Sequence, residues 1–214
     1  MKEFFRQQRL VEKQRDTFGD STALCQYRFD RDHGQVPQME QARKYVALWE
    51  QMRMENLGLL FWGTSGNGKT FAAAAIANFL LEQEERHVST VKMTTFGTIL
   101  GKLPGMSAQD KEWYLKDFQT CDLLILDDFG MERQTDYAKE QIFNIIDNRY
   151  LARLPLIVTT NLSLQELKHP GSMVDQRIFD RVLEMCVPIC FNGESLRQEK
   201  AKEKLRLYKQ LTSA

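Results

Sequence analysis

The sequence lacks the features that mark several classes of protein. No apolar run approaches the ~18 residues that a membrane-spanning helix needs. Phe4 and Phe5, near the start, are followed at once by charged and polar residues, so we expect no signal peptide. The 29 basic and 29 acidic residues cancel. Net charge therefore neither favours nor excludes a nucleic-acid partner, and local clusters must decide that question.

Cysteine is also sparse, and its spacing shows no paired framework. The four cysteines lie at positions 25, 121, 186 and 190, a distribution that favours a reducing cytoplasm over secretion. Cys186 and Cys190 have a spacing that a metal site can use, but a structural zinc needs four ligands and no second Cys or His pair is near in sequence. The residues between them indicate a buried strand. We therefore expect both to pack in the core of a soluble, cytoplasmic protein.

What the sequence does contain is a regular alternation of strand and helix patterns. Four apolar runs and one alternating segment predict strands over 57–62, 87–93, 121–130, 155–161 and 185–191. Several of these runs are apolar at consecutive positions, as parallel strands covered on both faces require. Helical patterns occupy 38–52, 71–85, 95–103, 108–119, 137–154, 163–168, 174–184 and 195–211. The pattern predicts an α/β fold, and 214 residues fit one domain with at most a small appendage.

The stretch FWGTSGNGKT, residues 61–70, has the spacing G-x-x-x-x-G-K-T of a phosphate-binding loop. Its glycines allow the backbone to wrap an anion, and the helix that follows presents its positive end to the phosphates. We expect Lys69 to reach the β and γ phosphates and the Thr70 hydroxyl to bind Mg²⁺. The predicted nucleotide-binding residues are Gly63, Thr64, Ser65, Gly66, Asn67, Gly68, Lys69, Thr70 and Phe71.

Two aspartates follow the apolar run LLIL, at the end of the strand predicted over 121–130. A carboxylate at the end of a buried strand is costly unless a ligand uses it. Asp127 is well placed to hold the hydration shell of Mg²⁺, and Asp128 to polarise an attacking water as a general base. The alternative is a strand that ends in a solvated turn.

Two further patterns are weaker when taken alone. The strand at 155–161 ends in Asn161, which we expect to orient water near the γ-phosphate, although Asn also caps strands and helices. Arg177 and Arg181 lie four residues apart on one helix face, with Asp180 beside the second. They predict either a salt-bridged surface or an arginine finger that reaches a neighbour's nucleotide.

The stretches GTSGNGKT, LLILDDFG, VTTN and RIFDR, in this order and spacing, resemble the DnaC/IstB branch of the AAA+ ATPases. That branch holds bacterial and phage helicase loaders and transposition helper ATPases, and the resemblance covers nearly the whole chain. It implies a P-loop three-layer α/β sandwich whose five-stranded parallel sheet has the phosphate-loop strand at its centre. It also implies an arm or linker over 1–36, an AAA+ core over 37–192 and a reduced helical lid over 193–214.

The resemblance implies roles residue by residue. Lys69 and Thr70 match the Walker A motif, Asp127 and Asp128 match Walker B, and Asn161 matches sensor 1. The implied cofactors are ATP and Mg²⁺. The implied behaviour is ATP-dependent assembly of copies of the chain into open rings or spirals on single-stranded DNA.

Two arginines complete these implied roles, and the chain departs from the family pattern in places. Arg181 matches the arginine finger that acts on the next subunit's ATP, and Arg197 resembles the short-lid sensor 2 arginine. Many AAA+ proteins have Glu where this chain has Asp128. Loaders usually carry an additional N-terminal partner-binding domain, and only about 40 residues precede the helix predicted at 38–52, so the domain is either absent or removed.

By the same resemblance, the segment after the second predicted strand faces DNA. Its polar candidates for phosphate contacts are Lys92, Thr94, Thr95, Lys102 and Lys111. Phe96 is either a stacking residue or, as its helical spacing with Ile99 and Leu103 favours, a core residue. The predicted last helix is rich in basic residues, which indicates a partner surface or a solvated face.

The function we expect first is an ATP-dependent loader that delivers a replicative helicase to single-stranded DNA, with no membrane partner. A transposition helper that binds target DNA and stimulates a transposase fits the same motifs. A P-loop kinase for a small metabolite would share the phosphate loop but would need a substrate pocket and an arginine-rich lid. An adaptor that binds nucleotide with little hydrolysis also remains open.

Overall fold

The five predicted strands form a single parallel sheet in the computed structural model, which describes residues 1–32, 34, 36–83, 90–130, 135–193 and 195–212. The strands are β1 Gly58–Trp62, β2 Val91–Thr94, β3 Leu123–Phe129, β4 Leu156–Thr160 and β5 Cys186–Cys190. Of the strand predicted over 87–93, residues 87–89 lie outside the described residues. The predicted α/β class with a five-stranded parallel sheet is confirmed.

The position of the phosphate-loop strand differs from the expectation. The strand order is β2-β3-β4-β1-β5, so β4 is central and β1 lies one strand from the edge. The expectation of a central β1 was wrong because the loop motif constrains the turn after its strand and not the strand's neighbours. The edge strand β5 tolerates Pro188, which has no N–H to donate to a further strand.

Ten helices alternate with the strands in the part of the chain that is described. They are α1 Lys2–Phe18, α2 Met39–Ala47, α3 Trp49–Met54, α4 Lys69–Glu82, α5 Phe96–Lys102, α6 Ala108–Thr120, α7 Asp136–Ala152, α8 Leu164–Lys168, α9 Met173–Met185 and α10 Leu196–Thr212. The helix predicted over 38–52 divides at Leu48 into α2 and α3. None of the described helices combines the length and the apolarity that crossing a bilayer demands.

Apolar side chains cover both faces of the sheet. Alternate residues of β1 show this, since Leu59 and Phe61 belong to the core beneath α1, α2 and α4, whereas Leu60 belongs to the core beneath α5, α7 and α9. Helix α4 is buried on nearly all sides, and its run Ala72–Ala75 has no exposed surface. Small side chains allow this helix to approach the sheet and its covering helices closely, so the helix that begins at the phosphate loop is held firmly.

Buried polar contacts join α1 to the sheet and to α4. Gln14 Nε2 donates to Asn78 Oδ1 at 2.8 Å, and Thr17 Oγ1 donates to the carbonyl of Val91 at 2.8 Å. Phe18 packs into the same core as α4. The first helix therefore lies on the core through buried side chains, and the domain boundary placed at residue 36 stays a prediction.

The cysteines of β5 contribute to packing. The Cys186 thiol is buried and donates to the carbonyl of Leu156 at 3.2 Å, which joins β5 to the start of β4. Burial raises the pKa of this thiol far above its ordinary value, so the protonated form persists. Cys190 is half-buried at the other end of the strand.

A buried arginine fastens the sheet at the end opposite the phosphate loop. Arg149 has no exposed surface, and its guanidinium donates to the carbonyls of Phe118, Cys121 and Pro155 at 3.0, 2.9 and 2.6 Å. These carbonyls lie at the end of α6 and just before β3 and β4. One side chain on α7 therefore satisfies three buried acceptors from three different segments.

We expect Arg149→Met to lower the free energy of unfolding by about 3 kcal/mol or more, because three buried carbonyls lose their donor. Urea denaturation at pH 7 measures the change, with Arg206→Met on the exposed helix α10 as the matched control. A loss for Arg149→Met no larger than that for Arg206→Met would contradict the assigned role.

Candidate functional site

The phosphate loop has the backbone conformation that its glycines predicted. Gly63, Gly66 and Gly68 have φ values of 129°, 91° and 93°, in the region that favours glycine. A Cβ at Gly63 would lie 2.4 Å from the carbonyl oxygen of Phe191, and one at Gly66 would lie 2.2 Å from Ser195 Oγ. The first two glycines are thus required by close packing as well as by their backbone angles.

The loop is attached to the chain segment that follows β5. Asn67 Nδ2 donates to Thr64 Oγ1 at 2.7 Å and to the carbonyl of Phe191 at 3.1 Å. The backbone N–H of Leu196, the first residue of α10, donates to the carbonyl of Gly66 at 3.1 Å. Sequence reasoning missed this contact, since nothing local in the sequence indicates that residues 124 positions apart will meet.

Lys69 is buried and is hydrogen-bonded to its own loop. Its Nζ donates to the carbonyls of Gly63 and Thr64, both at 2.7 Å. Burial lowers the pKa of this lysine, and the nearby carboxylates of Asp128 and Asp127 partly offset the effect. The ammonium therefore lies within the loop, at the position from which a bound phosphate would draw it.

A hydrogen-bond network centred on Asp127 joins three structural elements. Thr70 Oγ1 on α4 donates to Asp127 Oδ1 at 2.9 Å, and Thr159 Oγ1 on β4 donates to the same oxygen at 2.6 Å. Burial raises the pKa of the Asp127 carboxyl, and these two hydrogen bonds partly offset the shift. Sequence reasoning assigned no role to Thr159, although a buried hydroxyl in an otherwise apolar strand was a signal that could have indicated one.

The two adjacent aspartates point in different directions because β3 is irregular at this position. The pairing register between β3 and β4 shifts between Leu126 and Phe129, and Asp128 has a φ of 54°. The backbone N–H of Asp128 donates to Thr159 Oγ1 at 3.0 Å, which helps to hold this conformation. The bulge leaves Asp127 against Thr70 and exposes Asp128 to the cleft beside the loop.

These residues border a cleft of about 160 Å³. Most of the predicted nucleotide-site residues line it: Ser65, Gly66, Gly68, Lys69, Thr70, Phe71, Asp128, Asn161 and Arg197. Sequence reasoning missed five others, which lie in the segment before α2 and at the start of α10: Tyr27, Arg31, Asp32, Val36 and Leu196. The cleft is smaller than the roughly 300 Å³ at which pockets begin to enclose a whole small ligand, so one chain would cover only part of a nucleotide.

The oxygen donors at the floor of the cleft suit Mg²⁺. Thr70 and Asp127 supply a hydroxyl and a carboxylate in mutual contact, and both are the hard ligands that this ion prefers. Within the described ranges, no group of three or more His, Cys, Asp or Glu side chains is placed to hold a metal. A magnesium ion held by one or two protein oxygens together with substrate phosphates fits this arrangement.

Arg181 does not line the cleft. Its Nε donates to Asp147 Oδ1 at 3.0 Å, and its guanidinium lies over the Tyr150 ring at 4.2 Å from the centroid. Both partners belong to α7. The neighbouring Arg177 lies over Phe143, also on α7, at 4.6 Å. In the structure as described, each arginine is held between α9 and α7.

The residues predicted to contact DNA surround the end of β2 and the start of α5. Lys92 Nζ lies 3.9 Å from Asp117 Oδ2, the Thr95 side chain caps α5 by accepting from the N–H of Thr98, and Lys102 is exposed. Phe96 is fully buried and packs against Phe129 at a centroid distance of 5.7 Å. Thr94 and Lys111 are half-buried. The core interpretation of Phe96 holds, because its ring offers no surface to a base.

Comparison with known proteins adds relatives to this geometry. The model of the family described as IstB-like ATP binding protein matches residues 5–204 of the chain. The replicative helicase loader DnaC of Escherichia coli strain K12 is 29% identical over 168 residues, which is 77% of this chain and 64% of that protein. The replicative helicase loader DnaI of Bacillus subtilis strain 168 is 29% identical over 150 residues, which is 65% of this chain and 47% of that protein.

Two further facts frame these similarities. The chain spans less than two thirds of the length of these curated relatives. A crystal structure of the DnaC helicase loader shares the fold with a TM-score of 0.58 at 26% identity, over 72% of this chain and 87% of that one.

The raised pKa of Asp127 predicts a pH-dependent stability. A carboxyl whose folded pKa lies above the ordinary Asp value of about 3.9 lowers stability as the pH rises through that window, because its ionised form is buried. We therefore expect Asp127→Asn to be more stable to urea than wild type at pH 7 without nucleotide or Mg²⁺. The difference should shrink towards pH 4, and Asp20→Asn, at an exposed site, controls for the change in charge. A less stable Asp127→Asn variant at pH 7 would contradict this account.

Proposed function

Because the chain belongs to the family of IstB-like ATP binding proteins, we propose that it is an ATPase whose site is completed between neighbouring subunits. The observation that supports this most is the Asp127 network, which brings the Thr70 hydroxyl of the phosphate loop against a carboxylate at the end of β3. We propose further that ATP hydrolysis switches assembly on single-stranded DNA and so loads a replicative helicase. The names of the similar DnaC and DnaI proteins support that cargo.

In this proposal, the loop amides and Lys69 bind the triphosphate. Lys69 exchanges two loop carbonyls for phosphate oxygens, and Thr70 and Asp127 hold Mg²⁺ through their oxygens. The ion, when bound, neutralises charge that develops on the β and γ phosphates. Asp127 then needs to be ionised, and a bound cation favours that form.

Asp128 and Asn161 act on the attacking water. The bulge in β3 directs the Asp128 carboxylate into the cleft, where it accepts a proton from the water as a general base. Asn161 follows β4 on the same border of the cleft and orients the water by hydrogen bonding. Arg197, at the start of α10, contacts the phosphates from the lid side.

Arg181 acts on the ATP of the next subunit. Its contacts in its own chain are with α7 and α9 and not with the phosphate loop, which fits a finger that works in trans. A guanidinium stabilises charge on the transferred phosphoryl group. The chain is accordingly proposed to form an ATP-dependent homo-oligomer, which no single subunit can replace in catalysis.

We expect Arg181→Ala to reduce ATP turnover by about a thousandfold, in the range of arginine fingers, while ATP affinity stays near wild type because the binding loop is intact. Steady-state phosphate release and fluorescent-nucleotide binding measure the two quantities. Arg177→Ala, one turn away on α9, is the matched control and should retain turnover. Full activity in Arg181→Ala, or loss in Arg177→Ala alone, would contradict the assignment.

The DNA and partner surfaces belong to the same proposal. Lys102 is the most accessible of the predicted DNA residues, and Lys92, Thr94 and Thr95 flank it with their present contacts to protein groups. The family description favours a second candidate, a transposition helper that binds target DNA and a transposase. The metabolite-kinase alternative gains no support from the family match.

Partner capture in the presence of ATP separates loader from helper. We expect the wild-type chain, but not Lys69→Ala, to retain a purified replicative helicase in an ATP-dependent pull-down and to increase its loading onto single-stranded DNA. Nucleotide-dependent retention of a transposase with no helicase bound would support the helper function and would contradict the loader.

A further inference from the structure

Asp32 is a buried carboxylate without a structural explanation. It follows a short 3₁₀ turn, Phe29–Arg31, and only 7% of its surface is exposed. Its Oδ1 atom is buried and accepts no hydrogen bond from any described group. A buried carboxylate oxygen that gives up water and gains no donor destabilises the fold. Such a cost is typical of a group that a ligand satisfies.

The basic residues near Asp32 are engaged elsewhere. Arg31 Nη1 donates to Gln26 Oε1 at 2.8 Å. Arg43 Nη2 donates to the carbonyl of Phe29 and its guanidinium lies over the Phe29 ring. Arg28 forms an ion pair with Glu82. Packing and ion pairing in this segment therefore account for the arginines and leave the Asp32 carboxylate oxygen without a donor.

The surroundings of Asp32 suit a flat, mostly apolar group. The carboxylate lines the same cleft as the phosphate loop, and four apolar or aromatic residues share that wall: Tyr27, Val36, Phe71 and Leu196. The Tyr27 and Phe71 rings are in contact, with centroids 5.0 Å apart. An apolar wall with one fixed acceptor is the arrangement that orients a ring carrying an N–H donor.

We propose that Asp32 reads the base of the bound nucleotide by accepting a hydrogen bond from the 6-amino group of adenine. A carboxylate only accepts, and adenine presents an amino donor where guanine presents a carbonyl acceptor. The inference rests on the proposed ATP site and assigns it a determinant of base specificity. Lys69 and the loop would hold the phosphates at the other end of the nucleotide, so the two contacts are separable.

Nucleotide affinities with and without the 6-amino group test the inference. ATP, purine riboside triphosphate, which has hydrogen in place of that group, and GTP are titrated in competition with a fluorescent ATP analogue. We expect wild type to favour ATP over the purine analogue by about tenfold or more, as a hydrogen bond to a charged group provides. In Asp32→Ala that ratio should fall to near one through weaker ATP binding alone.

Two variants make the comparison specific. Asp32→Asn keeps one acceptor oxygen and should retain most of the preference for ATP. Asp30→Ala removes an exposed aspartate two residues away that does not line the cleft, and should leave the ratio unchanged. Thermal unfolding without nucleotide should show Asp32→Ala at least as stable as wild type, because an unsatisfied buried acceptor is removed.

The possible outcomes separate this inference from the proposed function. If wild type binds no nucleotide, the ATP site itself is refuted. If wild type favours ATP and Asp32→Ala keeps that ratio, or if Asp32→Ala lowers thermal stability and the ratio together, base recognition by Asp32 is overturned. A preference for GTP that disappears in Asp32→Ala would overturn the adenine assignment.

Discussion

The contact of the Asp127 carboxylate with two threonine hydroxyls is the interaction on which the rest of the site depends. One hydroxyl comes from the first turn of α4 and the other from β4, while Asp127 itself ends the regular part of β3. The network fixes the phosphate loop relative to the carboxyl edge of the sheet. Its cost is a buried carboxylate, which is most stable in its ionised form only when a cation is near.

The remaining parts of the cleft come from the two ends of the chain. The segment before α2 supplies Tyr27 and Asp32, and the start of α10 supplies Leu196 and Arg197. The hydrogen bond between Leu196 and Gly66 joins the lid directly to the loop, so a change in the loop would be transmitted to α10. A bound nucleotide would contact all of these segments at once, which makes its phosphate state a suitable signal for assembly.

The sequence predicted the loop and the strand ends well because their signals are local. Glycine spacing specifies a loop, apolar runs specify buried strands, and polar residues at the carboxyl ends of parallel strands meet at one edge. Lys69, Asp128 and Asn161 were all predicted in this way and border one cleft. The DnaC/IstB resemblance, built on the same stretches, is confirmed by the family match.

The features that escaped prediction depend on contacts between distant segments. The bulge that turns Asp128 outward is held by Thr159, and Arg149 is buried because three carbonyls from other segments surround it. The place of β1 beside the edge strand depends on strand order, which no motif encodes. Asp32 is notable only for the donor that it lacks, and a sequence cannot display a missing partner.

The central claim, an ATP site built by two subunits, is tested most directly by mixing two inactive variants. Lys69→Ala chains lack a competent loop but keep Arg181, and Arg181→Ala chains have the reverse defect. The account predicts that an equal mixture, with single-stranded DNA present, hydrolyses ATP well above the rate of either variant alone, because some neighbours combine an intact loop with an intact arginine. A mixture no more active than its components, although both bind to each other, would contradict it.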